Sequence, residues 1–460
     1  MRLMSLAALA VFALAPPPAL AEDLAAKVAA VRDKALVDPV AWDFVESLTT
    51  EVGPRPTGSP AMTRARDWAV AKLTALGFRN VHVEAFEAEA WRRGAESAEV
   101  ISPYPQKLAI LGLGGSVPTP KSGLEGEVAL FSSLKAMMEA PAGSLKGKIV
   151  VVNQPMGRNQ DASGYGANTA VRMQGPSEAA RRGAIAYLLR SLSTDDTRLP
   201  HTGRLNRAPD APEIPAAALS VPDAELLARM AARGAPVRIR LKMDSSDVRK
   251  APAWNVVGEM PGAERPDEVI LVGGHLDSWD PGTGAIDDGA GMAITTAAAR
   301  LVGEGRPRRT IRVVLWGAEE MDESGEAYGL AHAGEVGRMV VVGESDTGPG
   351  PVWRARLPKG ALAHPAMQAF AAAVIPLRVV VGPEPALGSG SDTVDLVKAG
   401  APAVMLSPDA TRYFDLHHSA DDTLDKIDPK DLAQSVAVWA SFLQAAADSD
   451  IDFRALATQP

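Results

Sequence analysis

The chain has 460 residues, of which 46% are hydrophobic and 22% charged, and its formal net charge is −9. This composition suits one large or two ordinary globular domains with sizeable cores, and it excludes a disordered chain. The absence of cysteine excludes disulfides, thiolate metal ligands and a cysteine nucleophile, and the acidic balance without a basic cluster excludes nucleic acid as a partner.

The first residues have the pattern of a secretory signal. Arg2 supplies a positive start, an Ala/Leu/Val/Phe run follows, and Ala19-Leu20-Ala21 matches the small-residue end of such a segment. We expect residues 1–21 to be removed by cleavage near Ala21, which changes the net charge from −9 to −10 because Arg2 leaves. The apolar run is too short to span a bilayer, so we predict an exported protein, periplasmic or secreted, without membrane insertion.

The first clear helix signal comes next. Residues 59–76 begin with Ser59-Pro60, a capping residue followed by a proline at the first helical position, and Gly77 follows the last turn. From Trp91 to Lys250 the chain is rich in Gly and Pro and carries short strand-like runs. We interpret residues 93–250 as an inserted domain that separates two segments of the main domain, residues 22–92 and 251–460.

After the insertion, strands alternate with helices, which predicts an α/β fold with a mixed, mostly parallel sheet flanked by helices. The last predicted helix opens at Asp428-Pro429 and has an apolar face. The apolar runs that we interpret as strands are residues 254–258, 269–273, 311–315, 339–342 and 403–406, with a helix at about 289–301, and the apolar face of the last helix is formed by Leu432, Val436, Trp439 and Leu443.

Residues able to bind metal end these strands or follow them closely. Each one alone is more often a solvated surface group than a ligand. They recur at one edge of the predicted sheet, and open α/β sheets have their binding and active sites at such an edge, so the pattern favours a functional site. They are His275, the pair Asp287 and Asp288, the pair Glu319 and Glu320, Asp346, and the pair His417 and His418.

Two histidines with three carboxylates form a donor set suited to zinc, and a bridging carboxylate allows two ions roughly 3.5–4 Å apart. Two Zn²⁺ ions carry +4 and the carboxylates of Asp287, Glu320 and Asp346 carry −3, so a bound hydroxide would neutralise the remaining +1. We therefore predict two Zn²⁺ ions per chain. Of the adjacent glutamates, we assign Glu320 to metal and Glu319 to the general base, the alternative being an acidic helix N-terminus.

Two further acids lie close to these candidates. Asp277 follows His275 by two residues on the same strand face, where its carboxylate could hold the second imidazole nitrogen. Glu344 is the alternative to Asp346 as the third carboxylate ligand, and we prefer Asp346 because it lies nearer the end of the strand. The remaining histidines lack such companions and are predicted to be structural or exposed: His82, His201, His332 and His364.

At these motifs the chain resembles the co-catalytic dizinc aminopeptidases and glutamate carboxypeptidases, over residues 42–445. The resemblance implies that His275 and Asp346 bind one zinc, that Glu320 and His418 bind the other, and that Asp287 bridges them. It also places His417 where relatives have a group that stabilises the oxyanion. The segments that carry it are Gly274–Asp280 (GHLDSWD), Gly284–Gly291 (GAIDDGAG), Trp316–Glu320 (WGAEE), Glu344–Gly348 (ESDTG) and His417–Thr423 (HHSADDT).

Other regions share in the resemblance. Through residues 145–150 and 175–191, the insertion is similar to a protease-associated domain, which would cap the zinc cleft, and residues 200–203 are similar to the carboxypeptidase pattern. The segment 388–392 is similar to a substrate-side loop, with Ser391 and Asp392 as candidate substrate contacts, and its alternative is a Gly-rich turn. The resemblance also implies a homodimer.

These features predict an exported zinc metallopeptidase, an exopeptidase for dipeptides or short peptides with free N-termini. Glu319 would deprotonate a zinc-bridging water, which attacks a carbonyl polarised by zinc. Alternatives on the same fold are a zinc amidase acting on N-acyl amino acids and a glutaminyl cyclase-like enzyme, which uses one metal. The hypothesis of a non-catalytic receptor-like binding module is less favoured, because such relatives have lost metal-ligating residues and none is missing here.

Overall fold

The computed structural model describes residues 18–246 and 248–458. Residues 1–17, most of the predicted signal segment, lie outside the described residues, and residues 18–21 begin helix α1 (Pro18–Ala35). In the described part of the chain, no helix is long and apolar enough to cross a membrane.

The main domain is built on a five-stranded sheet of β1 (Arg79–Ala90), β10 (Arg249–Met260), β12 (Arg309–Trp316), β11 (Arg265–His275) and β13 (Met339–Glu344), in that order. Strand β11 pairs in parallel with β12 and β13, whereas β10 pairs antiparallel with β1 and β12. The mixed sheet is confirmed, but "mostly parallel" is wrong, because two of the four strand pairs are antiparallel. The chain leaves the sheet after β1 and returns beside it in β10.

Helices cover both faces of this sheet. Alternate residues of β11 enter different cores, Ile270 and Val272 one of them and Val269 and Leu271 the other. A strand buried on both faces needs apolar residues throughout, which explains the uninterrupted apolar run. The first core includes α1, α2 (Val40–Glu51), α3 (Pro60–Ala75), α9 (Ala290–Gly303), α11 (Pro365–Val374) and α13 (Pro429–Ala447), and the second includes α10 (Ser324–Ala331) and α12 (Val394–Lys398).

Both predicted helix starts are confirmed. Ser59 accepts a hydrogen bond from the Met62 N–H (3.1 Å) at the start of α3, and Asp428 accepts one from the N–H two residues later (2.8 Å) at the start of α13. The four predicted apolar positions of α13 are buried. Residues 435–447 are buried as well, because this helix packs against α1, α9 and α11 as well as against the sheet.

Residues 96–243 form a second, eight-stranded sheet with the order β3, β2, β9, β5, β6, β7, β8, β4. One face has a core of its own, in which Ile149, Leu188 and Ile239 are fully buried. Both ends of this region join the main sheet at β1 and β10, where Ala90 lies opposite Arg249. The strands are β2 (Glu96–Ser102), β3 (Gln106–Leu108), β4 (Ile110–Gly112), β5 (Leu124–Phe131), β6 (Lys148–Val152), β7 (Ala186–Arg190), β8 (Ala216–Leu219) and β9 (Arg238–Met243), and the helices are α4 (Leu134–Met138), α5 (Ser163–Gly166), α6 (Thr169–Met173), α7 (Gly175–Arg181) and α8 (Val221–Ala231).

A third, three-stranded sheet contains β14 (Val352–Arg356), β15 (Val380–Val381) and β16 (Met405–Pro408), and the short helix α14 (Phe453–Ala457) follows α13. The prediction that residues 403–406 continue the main sheet is wrong. Ala403 forms an isolated bridge to Val342, and β16 then pairs with β14.

Candidate metal centre

The predicted donors meet at one edge of the main sheet. Parallel strands place their carboxyl ends at the same edge, so residues far apart in the sequence converge there. At this edge the structure brings together His275 at the end of β11, Asp287 before α9, Glu319 and Glu320 after β12, Asp346 after β13, and His417 and His418 between β16 and α13.

The two carboxylate oxygens of Asp287 face different partners. Asp287 Oδ1 lies 3.1 Å from His275 Nε2, which is itself 3.4 Å from Asp346 Oδ1. Asp287 Oδ2 lies 3.1 Å from His418 Nε2, which is 3.2 Å from Glu320 Oε2. The five side chains thus form two groups of three that share one carboxylate, an arrangement suited to two cations bridged by Asp287.

The opposite nitrogen of each imidazole shows how the rings are oriented. His275 Nδ1 lies 3.0 Å from the backbone carbonyl of Asp277, and His418 Nδ1 lies 3.2 Å from that of Thr202. A carbonyl only accepts, so each Nδ1–H donates and each Nε2 faces carboxylate oxygens. A proton on Nε2, or a metal ion in its place, satisfies those oxygens, so both rings have an orientation suited to metal ligands.

The charges of this cluster also call for a cation. The side chains of Asp287 and Glu320 are 5% and 8% exposed, and Asp287 Oδ2 and Glu320 Oε1 have no hydrogen-bond partner among the described residues. Burial lowers the pKa of His275 and of His418, but the surrounding carboxylates outweigh it and hold both pKa values well above the ordinary value. Imidazole nitrogens and carboxylate oxygens in this number fit two zinc ions.

The contacts of Asp277 with the centre differ in part from those predicted. Its backbone carbonyl makes the closer contact to the His275 ring, while its carboxylate Oδ1 lies 3.6 Å from Nδ1. The carboxylate accepts the backbone N–H groups of Glu319 (3.0 Å) and Glu320 (3.3 Å) and the hydroxyl of Thr57 (2.8 Å). Its buried charge therefore holds the backbone of the acidic pair in place.

Glu319 faces the cluster from one side. Its Oε2 lies 3.9 Å from His275 Nε2, farther than the oxygens of Asp287 and Asp346, and its Oε1 accepts the hydroxyl of Ser391 (2.5 Å). Burial raises the pKa of Glu319 well above its ordinary value, the charge of His275 opposes this, and that of Asp346 reinforces it. The geometry therefore places Glu319 beside the metal positions, where it can exchange a proton.

Two other acids are engaged elsewhere. Asp288, which follows a cis peptide bond, accepts the N–H groups of His275 (3.0 Å) and Gly291 (2.9 Å), so it anchors the end of β11 and the start of α9. Glu344 accepts the N–H of Asp392 (3.0 Å). Both carboxylates are therefore engaged elsewhere, which leaves Asp287 and Asp346 as the candidates for metal binding.

The loop 388–392 packs against the Glu319 side of the centre. Asp392 is buried and accepts the hydroxyl of Ser324 (2.6 Å), and burial raises the pKa of Asp392 to about 8. This anchor presents Ser391 to Glu319. A contact of either residue with substrate stays a prediction.

His417 lies directly beside its neighbour. The rings of His417 and His418 stack with centroids 3.5 Å apart, and His417 Nε2 lies 3.6 Å from Asp287 Oδ2. Burial lowers the pKa of His417 well below its ordinary value, and the charge of His418 lowers it further, so the ring is neutral. Its role towards an oxyanion stays a prediction.

Residues 201–203 of the eight-stranded domain, which we call the clasp, hold both histidines. The Thr202 N–H donates to the His418 carbonyl (3.0 Å), and His201 Nδ1 donates to the His417 carbonyl (2.5 Å). His418 has a φ of +60°, a left-handed conformation that costs a non-glycine residue on the order of 1 kcal/mol. The clasp stabilises that conformation by hydrogen bonds to both the ring and the backbone of His418.

His201 is 2% exposed and structural, in agreement with the prediction, but the sequence does not indicate its contact with the His417 carbonyl beneath the metal ligands. Sequence reasoning also missed Arg55, which is fully buried and donates to the carbonyls of Leu276, Thr283 (2.7 Å) and Gly284 (2.8 Å), tying down the loop that leads to Asp287. Neither residue lies in a periodic pattern or near its partners in sequence, so no local signal marks it.

The other histidines agree with the prediction. His82 is partly exposed, and His332 Nε2 lies 2.9 Å from a carboxylate oxygen of Glu84, remote from the metal centre. His364 accepts the N–H of Ala366 (3.2 Å) and caps α11.

Comparisons with known proteins agree on one family. Residues 255–443 match the model described as Peptidase family M28. Carboxypeptidase Q of Mus musculus is 37% identical over 406 residues, which cover 88% of this chain and 84% of the relative. A structure of a peptidase M28 precursor from Shewanella amazonensis SB2B is 41% identical, with a TM-score of 0.91 over 94% of this chain and 98% of that chain. BSAP, a zinc aminopeptidase from Bacillus subtilis, shares the fold, with 19% identity and a TM-score of 0.62 over 89% of this chain and 97% of that chain.

Replacing the shared carboxylate tests the arrangement of the centre. We expect Asp287→Asn to lose both zinc ions, because a neutral amide with one acceptor oxygen cannot bridge two cations. Zinc per chain after dialysis, measured by inductively coupled plasma mass spectrometry, should fall from about two to below about one. Glu344→Gln, which alters a buried carboxylate two residues from Asp346, serves as the control and should keep both ions. Full zinc content in Asp287→Asn would contradict the bridging assignment.

A methyl group on the clasp should disturb His418. Gly203 has a φ of +131°, and a Cβ there would lie 2.2 Å from Arg172 Nη1 and 2.8 Å from His418 Nδ1. We expect Gly203→Ala to weaken zinc binding at the His418 position by about 10- to 100-fold in a competitive chelator titration. Gly234→Ala is the matched control, since Gly234 also has a positive φ (+84°) but nothing lies within 4 Å of its added Cβ. Equal zinc affinities in the two variants would count against the clasp.

Proposed function

Because the chain belongs to peptidase family M28 and is a metallopeptidase, we propose that it is a zinc exopeptidase that hydrolyses dipeptides or short peptides with free N-termini. One observation carries this proposal: the Asp287 carboxylate lies between two histidine–carboxylate pairs, with Glu319 beside them. Two donor groups disfavour a glutaminyl cyclase-like enzyme, which uses one metal, and a complete ligand set disfavours a binding module. The relatives named carboxypeptidase and aminopeptidase support cleavage at a chain end.

In the proposed reaction, bound zinc supplies Lewis acidity to the scissile carbonyl and lowers the pKa of water. Glu319 accepts a proton from the attacking water as the water oxygen adds to the carbonyl carbon, and it then donates that proton to the leaving amine. Ser391 holds Oε1 of Glu319, which leaves Oε2 directed at the centre. His417 is assigned to the carbonyl oxygen as negative charge develops there.

A pocket lined by residues that flank two of the metal-ligand candidates in sequence supports the choice of small substrates. Its volume is 430 Å³, and its walls include Ile286, which precedes Asp287, and Thr347, which follows Asp346. Tyr413 forms part of the same wall. We assign this pocket to the side chain of one terminal residue of the substrate.

The remaining parts of the proposal concern the setting of the enzyme. We assign residues 93–250 to a protease-associated domain that caps the cleft and limits substrate length, and the contacts of the clasp with His417 and His418 support this. Export after cleavage near Ala21 rests on the N-terminal sequence. A homodimer rests on the family resemblance alone.

Removing the proposed base should abolish turnover without removing the metal. We expect Glu319→Gln to lower kcat by on the order of 10²- to 10⁴-fold on the zinc-loaded enzyme, because an amide cannot accept the proton. Zinc content should stay at the level of the unmodified protein. Glu326→Gln, on the exposed side of α10, controls for loss of a nearby negative charge. Near-normal turnover in Glu319→Gln with zinc bound would contradict the mechanism.

A panel of free and N-acetylated dipeptides tests the substrate class. We expect free dipeptides to be cleaved with a kcat/KM at least about tenfold higher than their blocked forms. Preference for the blocked peptides would favour the N-acyl amidase, and cyclisation of N-terminal glutamine would favour the cyclase. If the zinc-loaded protein acts on neither set, the enzyme proposal fails and the binding module replaces it.

A further inference from the structure

The two metal-facing histidines have opposite charges behind their rings. His275 Nδ1 donates to the carbonyl of Asp277 (3.0 Å), and the carboxylate Oδ1 of that aspartate lies 3.6 Å from the same nitrogen. His418 Nδ1 donates to the carbonyl of Thr202 (3.2 Å), and the guanidinium Nη1 of Arg172 lies 3.5 Å from the same nitrogen. A carboxylate therefore lies behind one imidazole and a cation behind the other.

No carboxylate in the described part of the chain forms an ion pair with the cation behind His418. Arg172 lies in α6 and is 8% exposed. Its hydrogen bonds go to neutral groups: Nε donates to the Arg204 carbonyl (3.1 Å), and Nη1 donates to the Tyr165 hydroxyl (2.7 Å). Because the guanidinium is buried and lacks a counter-charge there, its positive charge acts on the adjacent ring with little screening by solvent.

The imidazole of His418 separates this guanidinium from the metal position. Arg172 lies on the Nδ1 side of the ring, whereas Nε2 lies 3.1 Å from Asp287 Oδ2 and 3.2 Å from Glu320 Oε2. The guanidinium is held on that side by the Tyr165 hydroxyl (2.7 Å). Arg172 is therefore placed to affect a bound metal through the ring and not by direct contact.

The group behind an imidazole changes how strongly that imidazole binds metal. A carboxylate at the outer nitrogen raises the basicity of the ring, whereas a cation there lowers it and repels the metal ion. Changing such an outer group typically alters metal affinity by about 10- to 100-fold. The donors alone do not distinguish the two positions, since each has one imidazole, one carboxylate of its own and a share of Asp287. We call them the His275 position, which includes Asp346, and the His418 position, which includes Glu320.

We propose that Arg172 is a positioning residue that acts through His418 and weakens zinc binding at the His418 position, so that the enzyme holds its two zinc ions unequally. The His275 position fills first, and the His418 position exchanges its ion more readily. A weakened imidazole donor also leaves more Lewis acidity available beside His417, the group assigned to the carbonyl oxygen. This consequence for catalysis rests on the proposed function, whereas the difference in zinc affinity does not.

The first test uses the unmodified protein loaded with one equivalent of zinc. We expect anomalous X-ray diffraction at the zinc absorption edge to place this zinc at the His275 position. A chelator titration of the fully loaded protein should release zinc in two steps whose dissociation constants differ by at least about tenfold. Zinc at the His418 position first, or equal occupancy of both positions, overturns the proposal whether or not any variant folds. Binding of only one zinc in total overturns the two-metal centre and this inference with it, whatever peptides the protein cleaves.

The second test removes the charge, and its result has opposite signs for an electrostatic and a merely structural role. In Arg172→Gln, whose amide can still donate hydrogen bonds, we expect the weaker zinc step to tighten by about tenfold or more and the stronger step to change by less than about threefold. Arg172→Lys should keep the weak step, because the positive charge remains. Arg190→Gln is the matched control, since Arg190 lies in the same domain but pairs with Glu225, and it should bind zinc like the unmodified protein. Unchanged or weaker zinc binding in Arg172→Gln overturns the proposal, and weaker binding assigns Arg172 to support of the clasp.

Discussion

The position of the Asp287 carboxylate between two histidine–carboxylate pairs is the constraint on which the rest of this site depends. One short side chain can face both pairs only if its backbone is held on both sides. Arg55 fixes the preceding loop through its carbonyls, Asp422 accepts the N–H of Ile286 (2.6 Å), and Asp288 ties the following turn to β11 and α9. Much of the buried hydrogen bonding around the centre therefore holds the loop that carries Asp287 in place.

The second histidine depends on a different part of the molecule. The sheet edge supplies His275 directly at the end of β11, whereas His418 lies in a left-handed conformation on a loop and takes its orientation from the clasp. The eight-stranded domain therefore contributes to the metal centre itself. Changes in that domain would reach the chemistry through the orientation of the His418 ring.

Buried carboxylates surround the centre, and this shapes its energetics. Burial raises the pKa values of Glu320, Asp346 and Asp392, the last to about 8, which means that the protein alone disfavours their charged forms. Bound cations reverse that preference, so metal binding and folding stabilise each other. Glu319 shares this environment while its Oε1 is held by Ser391, which suits its proposed role as proton acceptor and donor.

Much of the fold and the candidate donors could be predicted from local patterns. The caps of α3 and α13, the apolar run of β11 and the acids and histidines at strand ends are all encoded within a few residues of one another. The direction of each strand pair could not be predicted, nor the departure of β16 from the main sheet, because these depend on where the chain returns after the insertion and on the pairing of β16 with β14.

By itself, the sequence determined which residue types stand at the ends of the strands, and hence the ligand candidates. Only the tertiary structure decided that Asp287 shares its two oxygens, that Asp277 offers a carbonyl to the His275 ring, and that His201 and Arg172 stand behind His418. The physical reason is separation along the chain: His201 and His417 are 216 positions apart, and hydrogen bonds over such distances are set by packing rather than by local spacing.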